Sequence, residues 1–209
     1  MKTIKQFLKK LINNVFPNKP LAKQICNNIT QPKHHYKDVS WVEVDVTPDQ
    51  LRIEAVLTEL NLENKTILHV GVGRSNIAVK FITSTIKIDG ITIMQEEKEH
   101  ADSLVLQNYH VYLMNKYSNE LKELEHHYDF IVDNNLSSFA CCKQHYHLMM
   151  SNYIELLNKG GIILTDKMGM NYHEDYAFGI EYKDLQELEN QFPVKALQLS
   201  DFVFAIQKL

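Results

Sequence analysis

The chain has 209 residues, of which 44% are hydrophobic and 23% are charged, with a formal net charge of −4. This is the composition of a globular protein with one domain, or with one domain and an appendage. The low content of glycine (seven) and proline (five) excludes a disordered or collagen-like chain. No apolar run approaches the roughly 18 residues that a membrane span needs. The cysteines Cys26, Cys141 and Cys142 are odd in number and include an adjacent pair, which favours a reducing compartment and predicts a cytoplasmic location.

The charge divides the chain in two. Residues 1–37 carry eight lysines and no acidic residue, whereas the remainder holds 14 basic against 26 acidic residues, a balance of −12. We therefore distinguish a basic arm, 1–37, from an acidic body, 38–209. Apolar residues of the arm recur at three- and four-residue steps, which predicts an amphipathic helix. These residues are Ile4, Phe7, Leu8, Leu11, Ile12, Val15 and Phe16.

The arm has several interpretations. We favour packing of its apolar stripe on the body, where it would cover a site, because a helix this short gains stability by docking. Peripheral contact with an anionic membrane surface and insertion into a partner's groove are the alternatives. Exchange between the subunits of a homodimer fits as well as folding back on its own body. Nucleic acid is disfavoured as a partner, because the body is acidic and the arm contains no arginine.

The body alternates between strand and helix patterns. The predicted strands are 41–46 at an edge, 65–70, 88–93, 110–114, 129–133, 162–165, 194–199 and 202–207. The predicted helices are 47–60, 75–82, 95–108, 119–127, 143–158 and 182–191, and Lys159-Gly160-Gly161 is expected to end the fifth, because glycine tolerates the left-handed cap. This alternation predicts an α/β fold, a mainly parallel sheet with helices on both faces, closed by an antiparallel hairpin.

A glycine-rich turn joins the second predicted strand to the next helix. The strand runs directly into Gly71-Val72-Gly73. Glycines here remove the Cβ atoms that would keep a cofactor from the backbone at the carboxyl edge of the sheet. A purely structural turn is the alternative, but the strand before it and the helix after it favour a cofactor site.

The order of the motifs resembles the class I S-adenosylmethionine-dependent methyltransferases over roughly residues 41–209. The segments that carry the resemblance are Ile67–Gly73, Asp89–Ala101, Tyr128–Asn135, Leu156–Leu164 and the closing hairpin. The resemblance implies a Rossmann-like, seven-stranded sheet that is parallel except for its last strand. It also implies S-adenosylmethionine as the cofactor.

The resemblance assigns cofactor contacts to particular positions. Gly71 and Gly73 would lie beside the amino-acid end of the cofactor. Thr92 stands where the family usually places an acid for the ribose hydroxyls, and Asn115 stands where an Asp commonly meets the adenine amine. Asp133, after the fourth parallel strand, would also line the cofactor site.

Further positions complete the predicted site. Asn134 follows Asp133 at the same edge and is predicted to contact the cofactor. Near Thr92, Glu96 or Glu97 could replace the missing ribose acid, although their sequence position more naturally predicts the exposed first turn of a helix. Loss of a charged ribose acceptor would cost on the order of 1.5–3 kcal/mol.

The candidates for chemistry follow the fourth and fifth parallel strands. Asp133 is predicted to be a general base, with a substrate anchor, a metal ligand or a turn cap as alternatives. Tyr172 and His173 lie in a loop that commonly faces substrate in this fold, and either could be a base or an orienting group; a surface loop with local packing is the alternative. Asp133 and Asp166 resemble the carboxylate pair of metal-dependent O-methyltransferases. We predict no metal, because Lys167 replaces the next ligand.

These observations predict a cytoplasmic methyltransferase that transfers the methyl group of S-adenosylmethionine to a small molecule. A second enzymatic hypothesis keeps the cofactor but attacks another carbon of the sulfonium, as a lyase, cyclase or aminoalkyl transferase that releases methylthioadenosine. A third hypothesis is a non-catalytic, methyltransferase-like partner or scaffold protein. Thr92 and Asn115, which replace acids of the family, support this third hypothesis.

Overall fold

The computed structural model describes residues 41–125, 127–137, 140, 142–170 and 180–209. The predicted arm, 1–37, lies outside the described residues, as do the predicted catalytic residues Tyr172 and His173. Among the residues that are described, no helix has the length and apolar character needed to cross a membrane.

Within these residues, seven strands form one sheet in the order β3-β2-β1-β4-β5-β7-β6. The strands are β1 (Thr66–Val70), β2 (Lys87–Thr92), β3 (Tyr109–Leu113), β4 (Tyr128–Val132), β5 (Leu157–Asp166), β6 (Val194–Gln198) and β7 (Val203–Lys208). The first five pair in parallel, and β7 is antiparallel to both of its neighbours. The predicted Rossmann-like sheet with a closing hairpin is confirmed.

Helices cover both faces of this sheet. They are α1 (Pro48–Glu59), α2 (Asn76–Phe81), α3 (Gln95–Ser103), α4 (Lys143–Leu156), α5 (Lys167–Met170) and α6 (Tyr182–Glu187), with short 3-10 turns at Ile82–Ser84, Asn119–Glu123 and Leu188–Asn190. Successive strand residues point to opposite faces, so the sheet supports two cores. One core contains α1 and α2, and the other contains α4 and α6.

The predicted edge strand 41–46 is wrong. Residues 42–44 form a turn and bend, in which the Val44 amide donates to the Trp41 carbonyl at 3.1 Å. The Trp41 amide donates to the side chain of Glu97 rather than to a neighbouring strand. Alternating hydrophobicity therefore gave a false strand signal, because a local turn and the Glu97 side chain, rather than a neighbouring strand, take these backbone hydrogen bonds.

Several predicted helices are shorter than their patterns indicate. The helix predicted over 95–108 ends at Ser103, and Val105 and Asn108 then take positive φ angles of 49° and 64°. The helix predicted over 119–127 is reduced to one 3-10 turn. Gly160 does have a positive φ of 78°, but it lies in β5, where the pairing with β4 is irregular, and not at a helix cap.

Candidate functional site

The glycine loop follows β1 at the carboxyl edge of the sheet. Gly71 and Gly73 have φ angles of 73° and 47°, a region that favours glycine, and the Gly71 amide donates to the Ile91 carbonyl of β2 at 2.9 Å. A Cβ built on Gly71 would have no heavy atom within 4 Å. The loop therefore bends over the sheet edge and leaves open space at Gly71.

A buried carboxylate lies against this loop. Glu97, in the first turn of α3, is only 3% exposed, whereas its neighbour Glu96 is exposed. Its Oε2 accepts hydrogen bonds from the Gly73 amide at 3.3 Å and from the Thr92 hydroxyl at 2.6 Å. Its Oε1 accepts from the Trp41 amide at 3.1 Å. The expectation of an exposed first turn is right for Glu96 and wrong for Glu97.

Thr92 orients Glu97. Thr92 is 4% exposed, and its Oγ1 donates to Glu97 while it accepts from the Met94 amide at 3.1 Å. The predicted ribose position is therefore occupied by a hydroxyl that holds a carboxylate five residues further along the chain. A sequence signal was present, because Glu97 and Ala101 are four residues apart and share the buried face of α3.

Asn115 follows β3 at the same edge and is 6% exposed. Its Oδ1 accepts a hydrogen bond from the Tyr117 amide at 2.9 Å, which closes a local turn. The Met114 amide donates to the Thr92 carbonyl at 2.8 Å and so places Asn115 next to the end of β2. The predicted contact of Asn115 with adenine stays a prediction.

Asp133 follows β4 and is 1% exposed. Its Oδ1 accepts from Lys116 Nζ at 3.1 Å and from the Asn135 amide at 3.2 Å. Its Oδ2 accepts from Lys116 Nζ at 2.8 Å and from the Tyr153 hydroxyl at 3.0 Å. These donors fill the approximately four acceptor positions of a carboxylate. In this conformation Asp133 organises its loop, and its role as a general base stays a prediction.

Lys116 is the partner that sequence reasoning missed. Its side chain is 11% exposed, and its Nζ also donates to the carbonyls of Asn135 at 2.8 Å and Leu136 at 3.4 Å. Burial lowers the pKa of Lys116, and the contacts with Asp133 oppose that shift. Its position 17 residues before Asp133, after a different strand, gave no local signal.

The loop after β4 is also tied to α1. Asn134 Nδ2 donates to Asp49 Oδ2 at 2.9 Å. At the end of β5, Asp166 accepts from Arg52 Nε at 2.7 Å and Nη2 at 2.8 Å, and from the Met168 amide at 2.8 Å. The structure thus places Asn134 beside the start of α1, and its cofactor contact stays a prediction.

The carboxylates Asp133 and Asp166 are each paired with a cation of the chain itself. Lys116 neutralises the first and Arg52 the second. In the part of the chain that the structure describes, no group of three or more His, Cys, Asp or Glu side chains is arranged to hold a metal ion. Asp133 and Asp166 are therefore engaged in internal ion pairs, and the absence of a metal stays a prediction.

His69 is a buried titratable group beneath the loop. It is 1% exposed in β1, and its Nδ1 has no hydrogen-bond partner. Burial lowers the pKa of His69 from 6.5 to about 4, so the imidazole is neutral at neutral pH. Between these pKa values the unfolded chain binds a proton that the folded chain does not. Burial of the neutral His69 imidazole therefore makes its full contribution to the free energy of unfolding above about pH 6.5. This contribution is lost as the pH falls towards 4.

The free energy of unfolding is accordingly expected to fall by about 2 kcal/mol more in the wild type than in His69→Leu when the pH is lowered from about 7.5 to about 5. Urea unfolding of both proteins at each pH measures this difference. Parallel pH profiles would show that His69 is not the acid-sensitive group.

No family model matches the sequence, and no curated protein matches it. Solved structures do match. The N-methyltransferase NodS from Bradyrhizobium japonicum WM9 aligns with a TM-score of 0.62 at 11% identity, over 79% of this chain and 99% of that chain. NodS has also been solved in complex with S-adenosylhomocysteine.

Two further structures agree. Magnesium protoporphyrin IX methyltransferase (ChlM) from Synechocystis PCC 6803 with bound S-adenosylmethionine has a TM-score of 0.54 at 10% identity, over 76% of this chain and 77% of that chain. An rRNA methylase from Streptococcus thermophilus has a TM-score of 0.52 at 13% identity, over 79% and 99%. This chain therefore has the Rossmann-like fold of the S-adenosylmethionine-dependent methyltransferases.

Proposed function

We propose that this protein is a methyltransferase that transfers the methyl group of S-adenosylmethionine to a small molecule. The observation that carries the proposal is the buried carboxylate of Glu97, held by Thr92 and Gly73 beside the glycine loop. Burying a carboxylate is costly unless hydrogen bonds or a partner charge satisfy it. Its place at the carboxyl edge is where open α/β sheets bind ligands.

The residues at this edge fit the cofactor. The open space at Gly71 allows a ligand to approach the backbone closely, and any larger residue would intrude there. Glu97 supplies a carboxylate acceptor for ribose hydroxyls. It would take over the role of the acid that the family usually has at the position of Thr92. The glycine loop and the end of β2 are adjacent, since the Gly71 amide bonds to the Ile91 carbonyl.

The charge of the body supports a small acceptor. NodS, ChlM and the rRNA methylase act on different kinds of substrate, so the fold alone leaves the acceptor open. Residues 38–209 carry 12 more acidic than basic residues, which opposes binding to the phosphate backbone of a nucleic acid. A small acceptor needs no such electrostatic attraction.

The chemistry asks little of the protein beyond geometry. When bound, S-adenosylmethionine would supply an activated methyl group on a positively charged sulfur, and this sulfur is the leaving group of an in-line displacement at the methyl carbon. The chain has to orient the cofactor, exclude water and align the acceptor. In this proposal Glu97 and the glycine loop perform the first task. The loop 133–136, which Lys116 fixes through the carbonyls of Asn135 and Leu136, follows β4 at the same carboxyl edge.

Calorimetric titration with S-adenosylmethionine, S-adenosylhomocysteine and methylthioadenosine, followed by mass analysis of each mixture, tests the proposal. We expect binding of the first two ligands, with S-adenosylmethionine intact until an acceptor is present. Consumption without any acceptor would instead support the lyase or cyclase hypothesis. Absence of binding to all three would overturn the proposal and favour the scaffold hypothesis.

A pair of glycine variants separates the site from the fold. Gly71→Ala and Gly160→Ala each place a Cβ at a positive φ with no heavy atom within 4 Å, so each is expected to lose about 1–2 kcal/mol of stability. Gly160 lies near the amino end of β5, whereas Gly71 follows the carboxyl end of β1. Only Gly71→Ala is expected to weaken S-adenosylhomocysteine binding, by about tenfold or more. Equal affinities in the two variants would contradict the placement of the site.

A further inference from the structure

The residues before α1 lie against the glycine loop. The Trp41 amide donates to Glu97 Oε1 at 3.1 Å, and the Trp41 Cβ lies 3.6 Å from the position that a Cβ on Gly73 would take. Further along the same segment, Asp45 forms an exposed ion pair with Arg74 at 3.4 Å. Three contacts therefore join the segment 41–46 to the loop and to the carboxylate proposed for the cofactor.

The hydrogen bonds of Glu97 limit what else it can accept. A carboxylate offers approximately four acceptor positions, two on each oxygen. The Gly73 amide and the Thr92 hydroxyl occupy both positions on Oε2. The Trp41 amide occupies one of the two positions on Oε1. One position remains, whereas the two hydroxyls of a ribose need two.

We propose that the Trp41 backbone amide holds the place of a ribose hydroxyl, and that it leaves Glu97 when the nucleoside cofactor binds. Of the three donors to Glu97, the Trp41 amide is the one whose departure disturbs the rest of the structure least. The Gly73 amide belongs to the loop that shapes the site, and Thr92 is a buried residue of β2. Trp41 is 41% exposed and lies outside regular secondary structure. The segment 41–46 is thus a gate on the cofactor site, an inference that rests on the proposed function.

The gate has two consequences. In the free protein the Trp41 amide satisfies an acceptor position of the buried Glu97 carboxylate, which reduces the cost of leaving a buried acceptor without a partner. Cofactor binding must also break the Trp41–Glu97 hydrogen bond and release the segment. The affinity for the cofactor is therefore lower than it would be if the site were already open. Release also frees the residues that lead directly into α1, whose Asp49 accepts a hydrogen bond from Asn134 in the loop after β4.

The single tryptophan makes the exchange directly observable. Because the chain contains only one Trp, selective 15N-tryptophan labelling of the full chain gives one backbone amide signal. On saturation with S-adenosylhomocysteine, confirmed by calorimetry on the same sample, we expect this amide to exchange with solvent about tenfold faster or more, because it loses a hydrogen bond to a charged group. Ligands ordinarily slow exchange at their sites, so the direction is diagnostic.

Two variants isolate the contribution of the amide. Trp41→Ala keeps the N–H and removes the ring, whereas Trp41→Pro removes both. We expect the proline variant to bind S-adenosylhomocysteine about three- to tenfold more tightly than the alanine variant, since it has no donor to displace. The amide measurement requires no variant and stands if the proline variant fails to fold.

The outcomes separate the two proposals. Calorimetric binding with unchanged or slower exchange of the Trp41 amide overturns the gate and leaves the proposed function standing. Equal or weaker binding by a folded Trp41→Pro protein, relative to Trp41→Ala, also overturns the gate. Absence of binding by the wild type and by both variants overturns the proposed function and the gate with it.

Discussion

Replacing Glu97 with glutamine is expected to weaken S-adenosylhomocysteine binding by about 10- to 100-fold, because a hydrogen bond to a charged group contributes about 1.5–3 kcal/mol. The amide also offers a single acceptor oxygen in place of two. It cannot satisfy the Gly73 amide, the Thr92 hydroxyl and a ribose at once. Calorimetric titration of the folded variant measures the loss.

Glu96→Gln is the matched control for this prediction. It removes the same charge from the adjacent residue of the same helix turn, but Glu96 is exposed. Its affinity should stay within about twofold of the wild type, since exposed charges contribute little. Equal losses in the two variants would attribute the effect to the charge at the start of α3. Unchanged binding in Glu97→Gln would contradict the role of Glu97.

Lys116→Met is expected to lower the free energy of unfolding by about 3–5 kcal/mol, because it leaves the buried carboxylate of Asp133 without its cation. The side chains of Lys116 and Asp133 are 11% and 2% exposed and lie 2.8 Å apart. The substitution also removes the donor to the Asn135 and Leu136 carbonyls, so the loop after β4 loses its anchor. Urea unfolding at neutral pH measures the change.

Lys122→Met provides the comparison. Lys122 and Glu155 form an ion pair at 3.9 Å whose side chains are 52% and 62% exposed. Its loss should change the free energy of unfolding by less than about 1 kcal/mol. The double variant Lys116→Met, Asp133→Asn should recover part of the stability, since no unpaired buried charge remains. A small effect of Lys116→Met alone would mean that Asp133 is not the buried partner that the structure shows.

The parts of the fold that follow from local rules could be predicted from the sequence. The positive φ angles of Gly71 and Gly73 were foreseeable, because a strand that ends in Gly-x-Gly before a helix must turn sharply. The closing hairpin was also foreseeable. Two alternating segments flank Ser200, whose Oγ accepts from the amides of Phe202 and Val203.

The candidate site depended instead on contacts between distant residues. The buried Glu97 carboxylate is satisfied in part by the amides of Trp41 and Gly73, and both residues are more than 20 positions away in the sequence. Lys116 reaches Asp133 across a strand and a 3-10 turn, so neither residue signals its partner in the sequence. In both cases the cost of burying a charged group is offset by partners that are distant in the sequence and come close only in the folded chain.

The most direct test of the account is a crystal structure of the full chain with S-adenosylhomocysteine. The account predicts the amino-acid end of the ligand beside Gly71, and both ribose hydroxyls within hydrogen-bonding distance of the Glu97 carboxylate. A ligand bound elsewhere on the molecule, or a ribose turned away from Glu97, would contradict the account.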